Sequence, residues 1–474
     1  MFIGDFYWNL PSSFPSLTVT SVYYIIFVFV TFLISRIHKS FARPLALLVM
    51  NVVFLLSFSF VNFAVAFLLS MFGYLFAFLI SNSKNKKNAY IGIAFYALIL
   101  IFFKYHGLLN INNIIMPLGL SFYTFKIISY ILDVNSGKCK LQKNIIYYFD
   151  YVLFFPTITA GPINRANPFF DELKSKPEFD YNEAKSGAFQ MMLGIFEKKV
   201  FCDYIALISN GIFQNDKLYG LNMIVGIILY SFQIYLDFDS ISNIAIGTSK
   251  LLGFKITKNF NSPYLASNLQ SFWRRWHISL STWFRDYLYI PLGGSRKGNV
   301  RKYLNIIIVF IVSGLWHGST LNFLIWGLFH GVLQVVEDLI LKNFRGNECN
   351  KKLKMIIHFL GIMFNFIIVS FLWLIFKCST LEETMMVINR VLISQNLDLN
   401  LIGINTNEII WLITIIFIVI VMDILRDKID VIDWFNSRCF VFRWFAYFVL
   451  LLVFIVFGVY GGSFDSSDFI YQFF

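Results

Sequence analysis

The chain has 474 residues, 58% of them hydrophobic and only 14% charged, against about 25% charged in an ordinary soluble domain. With 57 Phe and 24 Tyr, the apolar surface exceeds what a water-exposed globule can hide, which excludes a soluble enzyme. The net charge of +12 is dispersed in short connectors between apolar runs rather than gathered on one face, so no nucleic-acid partner is expected.

In chain order the apolar runs fall near 17–35, 45–57, 60–80, 89–105, 114–134, 145–161, 188–209, 221–238, 303–320, 321–341, 356–376, 408–425 and 443–463. At about 20 residues per crossing they predict an all-α polytopic protein of roughly eleven to thirteen spans and re-entrant helices. The runs are continuous rather than alternating, which argues against a transmembrane β-barrel. Basic residues cluster at Arg36 to Arg43, Lys84 to Lys87, Lys138 to Lys143, Arg296 to Lys302, Lys342 to Lys354 and Arg426 to Lys428, connectors that the positive-inside rule places in the cytoplasm. Met1 to Leu17 carries no Lys or Arg and is expected outside. Without a basic n-region, the first apolar run is expected to stay as a span.

The ends of the chain read as ordinary spans and its centre does not. The organisation predicted is N-terminal transmembrane helices over 1–109, a core over 110–341 and C-terminal transmembrane helices over 342–474, all in one membrane domain. The core is interrupted by Met116-Pro117-Leu118-Gly119, Phe155-Pro156, Gly161-Pro162, Asn261-Ser262-Pro263 and Pro291-Leu292-Gly293-Gly294. Non-helical backbone at membrane depth is tolerated only where protein or a water-filled cavity surrounds it, so the core is expected to hold a polar pocket. The cysteines at 139, 202, 349, 378 and 439 form no close pair. No disulfide framework and no zinc spacing follows, and no metal is expected.

Over 272–290, Trp273, Trp276, Leu280, Trp283, Phe284 and Tyr287 share one helical arc at 100° per residue. Arg274, His277, Ser281 and Arg285 form a polar stripe beside it, which predicts one amphipathic interfacial helix. The next helix carries His317 about 15 residues beyond the basic connector, or about 22 Å at 1.5 Å per residue. That depth lies past the midplane of a core about 30 Å thick. Gly314 and Gly318 flank His317 at a spacing that permits close helix approach. An ionisable side chain held at such depth reads as functional, and imidazole both takes and gives protons near neutral pH. The alternative for His317 is a buried histidine bridging two helices, and for His277 an interfacial anchor. His330 lies about 220° round the helix from His317 and reads as a helix-end anchor. Asp237 and Asp239 close a span, where they would orient a histidine or pair with an arginine. Glu197-Lys198-Lys199 is expected to form internal ion pairs.

Several of these segments resemble a known family. They are Asn261-Ser262-Pro263-Tyr264, then Phe272-Trp273-Arg274-Arg275-Trp276-His277-Ile278-Ser279 through Arg285-Asp286-Tyr287-Leu288-Tyr289-Ile290-Pro291-Leu292-Gly293-Gly294, and Gly314-Leu315-Trp316-His317-Gly318. Asn322-Phe323, Trp326-Gly327 and His330-Gly331 follow, and Met116 to Phe125 with Phe154-Phe155-Pro156 precede. Together they resemble the bacterial branch of the membrane-bound O-acyltransferases, which contains alginate and peptidoglycan O-acetyltransferases. The segment after Asp237-Phe238 departs from that pattern: Asp239-Ser240-Ile241-Ser242-Asn243 stands where the family has a Gly-containing run.

The resemblance implies helices around a central tunnel in the bacterial cytoplasmic (inner) membrane. An acyl thioester, acetyl-coenzyme A or another, would be the donor substrate, with no permanently bound cofactor. The acceptor would be a hydroxyl of a cell-envelope glycan, peptidoglycan or an alginate-like exopolysaccharide, or of a periplasmic or extracellular transferase partner; the surrounding partner is membrane lipid. His317 would be the general base and His277 its assistant. Arg274, Trp276, Trp316, Asn322 and Asp237 would bind substrate. Two other readings stay open: a D-alanyl transfer protein for teichoic acids, and a proton-coupled transporter or flippase.

Overall fold

A computed structural model describes residues 16–35, 42–83, 87–109, 111, 114, 116–175, 179–344, 350–393 and 405–460. The N-terminal stretch up to residue 15, Cys349 and parts of the basic connectors at 36–43, 84–87 and 342–354 lie outside the described residues. The described residues are helical without strands. In order they form α1 (Val22–Ser35), α2 (Ala42–Leu56), α3 (Phe60–Ser83), α4 (Lys87–Tyr105), α5 (Leu120–Asn135), α6 (Ile145–Leu153), α7 (Phe155–Ile158), α8 (Ala166–Lys174), α9 (Tyr181–Phe196), α10 (Asp203–Gln214) and α11 (Leu221–Leu251). There follow α12 (Leu269–Arg275), α13 (Ile278–Phe284), α14 (Asn299–His317), α15 (Leu321–Phe344), α16 (Lys351–Lys377), α17 (Leu381–Ile393), α18 (Thr406–Arg426), α19 (Val431–Asn436) and α20 (Phe440–Phe457).

Among the described residues, eight helices are long and apolar enough to cross a membrane: α3, α4, α11, α14, α15, α16, α18 and α20. The chain is a multi-pass membrane protein. α1 and α2 are shorter apolar helices. The passages predicted at 114–134 and 145–161 are shortened or broken at Pro117 and Pro156, while that at 188–209 runs from α9 through a π-helical turn, Glu197–Cys202, into α10.

The described residues within Met1–Ile195 and Ile241–Thr257 form one compact unit, and those within Phe196–Ser240 and Lys258–Ser466 a second. In the first, Gly119 opens α5 with φ +70, where a Cβ would run into the backbone oxygen of Ile158; only glycine suits that turn. The Phe155-Pro156 break ends α6 at Leu153 and frees backbone carbonyls. Buried Lys126 answers them, donating to Tyr151 O, Val152 O and Thr157 Oγ1, the last at 2.9 Å. The interruption is thus enclosed by protein, as a broken helix at membrane depth requires.

In the second unit α14 and α15 pack as a tight hairpin. A Cβ on Gly314 would meet the backbone oxygen of Phe323, and one on Gly327 that of Phe310. Small residues therefore bring the two backbones together, the usual means of helix association in lipid. Asn405 and Glu408 form a reciprocal capping box that starts α18. The other end of α18 is tied down by Tyr235 Oη donating to Asp423 Oδ1 at 2.7 Å and by the Arg426–Asp239 ion pair at 2.6 Å.

Candidate active site

The 272–290 segment is not one helix. Asn268 caps α12 by accepting from Ser271 N at 2.7 Å, and α12 stops at Arg275. Trp276 is extended and His277 takes the left-handed conformation, φ 41 and ψ 54, before α13 begins. A π-helical turn, Arg285–Tyr289, then follows. The break is imposed from outside the segment. Asn261 N donates to Arg275 O at 3.0 Å, Ile278 N to Asn259 O at 2.9 Å, and Ser279 N to the Asn259 side chain at 3.3 Å. Arg275 clamps the same turn through Asn261 O and its 2.6 Å pair with Asp427. A non-glycine residue held in such a conformation stores roughly 1–3 kcal/mol of strain, a feature that clusters at working sites.

His277 is buried, its ring edge-on to Phe238 at 4.5 Å. Burial pushes its pKa down from 6.5 to about 3, so at neutral pH it is an uncharged imidazole. Trp276, also buried, packs against Trp373 at 4.8 Å and Phe260 at 5.0 Å.

His317 is the last residue of α14 and is buried among rings: Trp316 at 4.5 Å, Phe376 at 5.0 Å and Trp326 at 5.2 Å. A continuous aromatic path joins the two histidines. It runs from His277 to Phe238, Phe260 (5.1 Å from Phe238), Trp276, Trp373, Trp326 (5.9 Å from Trp373) and His317.

The remaining predicted residues divide in their surroundings. Asn322 donates its amide to Ile375 O, Cys378 O at 2.7 Å and Thr384 Oγ1. It thereby answers carbonyls at the end of α16 and fixes the stretch that carries Phe376 against His317. Asp237 lies under a 2.6 Å ion pair with Lys198, a lysine rather than the arginine or histidine expected. Lys198 sits in a π-helical turn, Glu197–Cys202, and also pairs with Asp203 at 3.0 Å, while Lys199 lies 3.9 Å from Asp203. The expectation of internal pairs there holds.

Arg274 lines a pocket of about 310 Å³. Ser281 and Arg285 line it too, so three members of the predicted polar stripe share a wall although the helix is broken. The opposite wall is a face of α14: Lys302, Ile306, Val309, Phe310 and Ser313. Its two ends lie 11 residues apart, or about 16 Å along the helix. The groove thus runs from the basic connector to one turn short of His317. Arg285 pairs with Asp286 and Lys302 with Asp338. Among the described residues, Arg274 has no carboxylate within ion-pair distance.

His330 requires a correction. It is no helix-end anchor but an interior residue of α15, fully buried, whose Nδ1 accepts from Trp273 Nε1 at 3.2 Å. The signal in the sequence was the tryptophan it partners, 57 residues upstream.

A family model for membrane-bound O-acyltransferases matches residues 135–381, a stretch that contains both histidines, the groove and the aromatic path. The chain belongs to the membrane-bound O-acyltransferase family. Its relatives include the probable alginate O-acetylase AlgI of Pseudomonas fluorescens, 34% identical over 57% of this chain and 53% of that protein. The peptidoglycan O-acetyltransferase of Helicobacter pylori is 34% identical over 58% of this chain and 56% of its own length. The teichoic acid D-alanyltransferase of Bacillus subtilis is 32% identical over 51% and 62%. The chain therefore spans about half the length of the acetyltransferase relatives it matches. Within the family match, His277 stands at a strained turn and His317 at a helix end rather than on helix faces.

Proposed function

We propose that the protein transfers an acetyl group from a cytoplasmic thioester, acetyl-coenzyme A or a similar donor, to a hydroxyl of a cell-envelope glycan such as peptidoglycan or an alginate-like polysaccharide. A periplasmic or extracellular transferase that relays the group is an equivalent acceptor, and the site of action is the bacterial cytoplasmic membrane. The observation that carries this reading is the groove along α14, basic at one end and one turn from His317 at the other. Arg274, with Arg285 and Lys302, is suited to phosphates of the donor, and the apolar middle to its arm. Trp276 and Trp316 keep the proposed role of contacting substrate, whereas Asn322 and Asp237 act through the elements they hold rather than by touching it.

In this reaction His317 takes the proton of the acceptor hydroxyl as the oxygen attacks the thioester carbonyl. The carbon–sulfur bond then breaks, and the imidazolium returns the proton to the departing thiolate, leaving an ester and a free thiol. His277, uncharged at neutral pH, would donate a hydrogen bond to the thioester carbonyl without adding a full charge. General acid–base help of this kind is worth about 10²–10⁴-fold.

The test is acetyl ester on isolated envelope glycan from cells carrying His317→Ala, with membrane levels of the protein matched to wild type. Loss of ester is expected; undiminished ester rejects the reading. The Bacillus subtilis relative favours D-alanyl transfer as the second reading, and labelled acetyl and D-alanyl donors separate the two. A proton-coupled transporter would instead move substrate in liposomes without forming any acyl ester.

A further inference from the structure

Buried imidazoles outside the proposed chemistry are rare in this chain, and His330 is one. Its Nδ1 accepts from Trp273 Nε1, and an indole nitrogen can only donate. The ring proton therefore lies on Nε2. A second proton, on Nδ1, would set two donors face to face, so while this bond holds His330 cannot serve as an acid or a base. Its ring is stacked on Phe310 with 18° between planes and meets Trp326 edge-on at 4.8 Å. Trp326 in turn meets His317 at 5.2 Å and 89°. At the other end of this series Trp273 is itself a wall of the groove. The backbone beneath has no slack, because Gly327 and Gly331 on either side of His330 abut α14.

From this geometry we infer that His330 is a positioning residue: its bond to Trp273 fixes Trp326, and Trp326 fixes the orientation of the His317 ring, linking the groove wall to the proposed base. The inference rests on the acyl-transfer reading for its effect on turnover, but not for the link itself. A reacting group misplaced by about 1 Å loses on the order of 10²-fold in rate, which is how a side chain that never touches substrate would control turnover.

The experiment compares His330→Leu with His330→Asn, whose Oδ1 restores an acceptor near the place of Nδ1. Two quantities are read from purified protein in detergent: acyl-transfer kinetics, and the rate at which diethyl pyrocarbonate modifies His317, followed by mass spectrometry. His330→Leu is expected to lower kcat about 10- to 100-fold with both KM values within about twofold of wild type. It is also expected to change the His317 labelling rate, and His330→Asn to restore both. Wild-type kcat and labelling in His330→Leu overturn the inference. So does a loss of activity with unchanged labelling that Asn does not rescue, since that marks a general packing defect. If His330→Leu does not fold, Trp273→Phe keeps an aromatic side chain but lacks the indole N–H that His330 accepts; altered His317 labelling is then expected, and unaltered labelling overturns the link. Should wild-type protein transfer no acyl group from any donor, the acyl-transfer reading fails, and the labelling comparison still decides the role of His330.

Discussion

At the scale of single residues, His277 makes the sharpest prediction because burial and backbone act on it together. Unfolded, its imidazole takes a proton below about pH 6.5, while the folded ring resists until about pH 3. Between those values the unfolded state binds more protons, so stability falls as pH drops through that window and is fully present above it. Thermal melts of detergent-solubilised protein should show a steep loss from pH 6.5 towards 4. His277→Asn should lessen it, since asparagine tolerates the left-handed backbone and does not titrate. An equally steep acid loss in that variant would place the cause elsewhere. A second residue-scale prediction concerns Lys198. Replacing it with Met strands Asp203 and Asp237 in the interior, and breaking a buried pair costs about 3–5 kcal/mol. Lys198→Met should thus unfold at markedly lower temperature, and adding Asp237→Leu should recover part of the loss.

At the scale of elements, the close approach of α14 and α15 turns on glycines. Gly314→Val would force a side chain against the backbone of Phe323, and overpacking costs about 1–3 kcal/mol or more. Size-exclusion chromatography and melting should show loss of folded protein, whereas Gly107→Ala, with open space around its Cβ position, should behave as wild type. The glycine spacing around His317 made this hairpin legible in the sequence, as Pro156 did the break after α6. The break at Trp276–His277 was not legible. Trp273, Trp276, Leu280 and Trp283 keep perfect helical phase across it, and the force that interrupts them comes from Asn259 and Asn261 in the preceding loop. Local periodicity carries no trace of a tertiary backbone bond. The helix-end reading of His330 fails for a related reason: an angular position against His317 says nothing of its partner, Trp273, which lies on another helix.

At the scale of the whole molecule, the connector Arg296 to Lys302 sets the orientation of the groove. Lys302 belongs both to that connector and to the groove wall, so a groove entered at its Lys302 end would open on the side of the membrane that holds the connector. The positive-inside rule assigns that side to the cytoplasm, where thioester donors are found. A single cysteine at Lys297, in an otherwise cysteine-free chain, should therefore resist a membrane-impermeant maleimide in intact cells and react after permeabilisation. Labelling in intact cells would put the groove on the wrong face for a cytoplasmic donor. If the orientation holds, charge reversal separates entry from chemistry. Arg274→Glu should raise the KM for a phosphate-bearing donor about 10-fold or more with a smaller change in kcat, because a charge-assisted phosphate contact contributes to binding far from the reacting carbon. His317→Ala should do the reverse. An Arg274→Glu variant with unchanged donor KM would mean that the groove, despite its basic rim, is not where the donor binds.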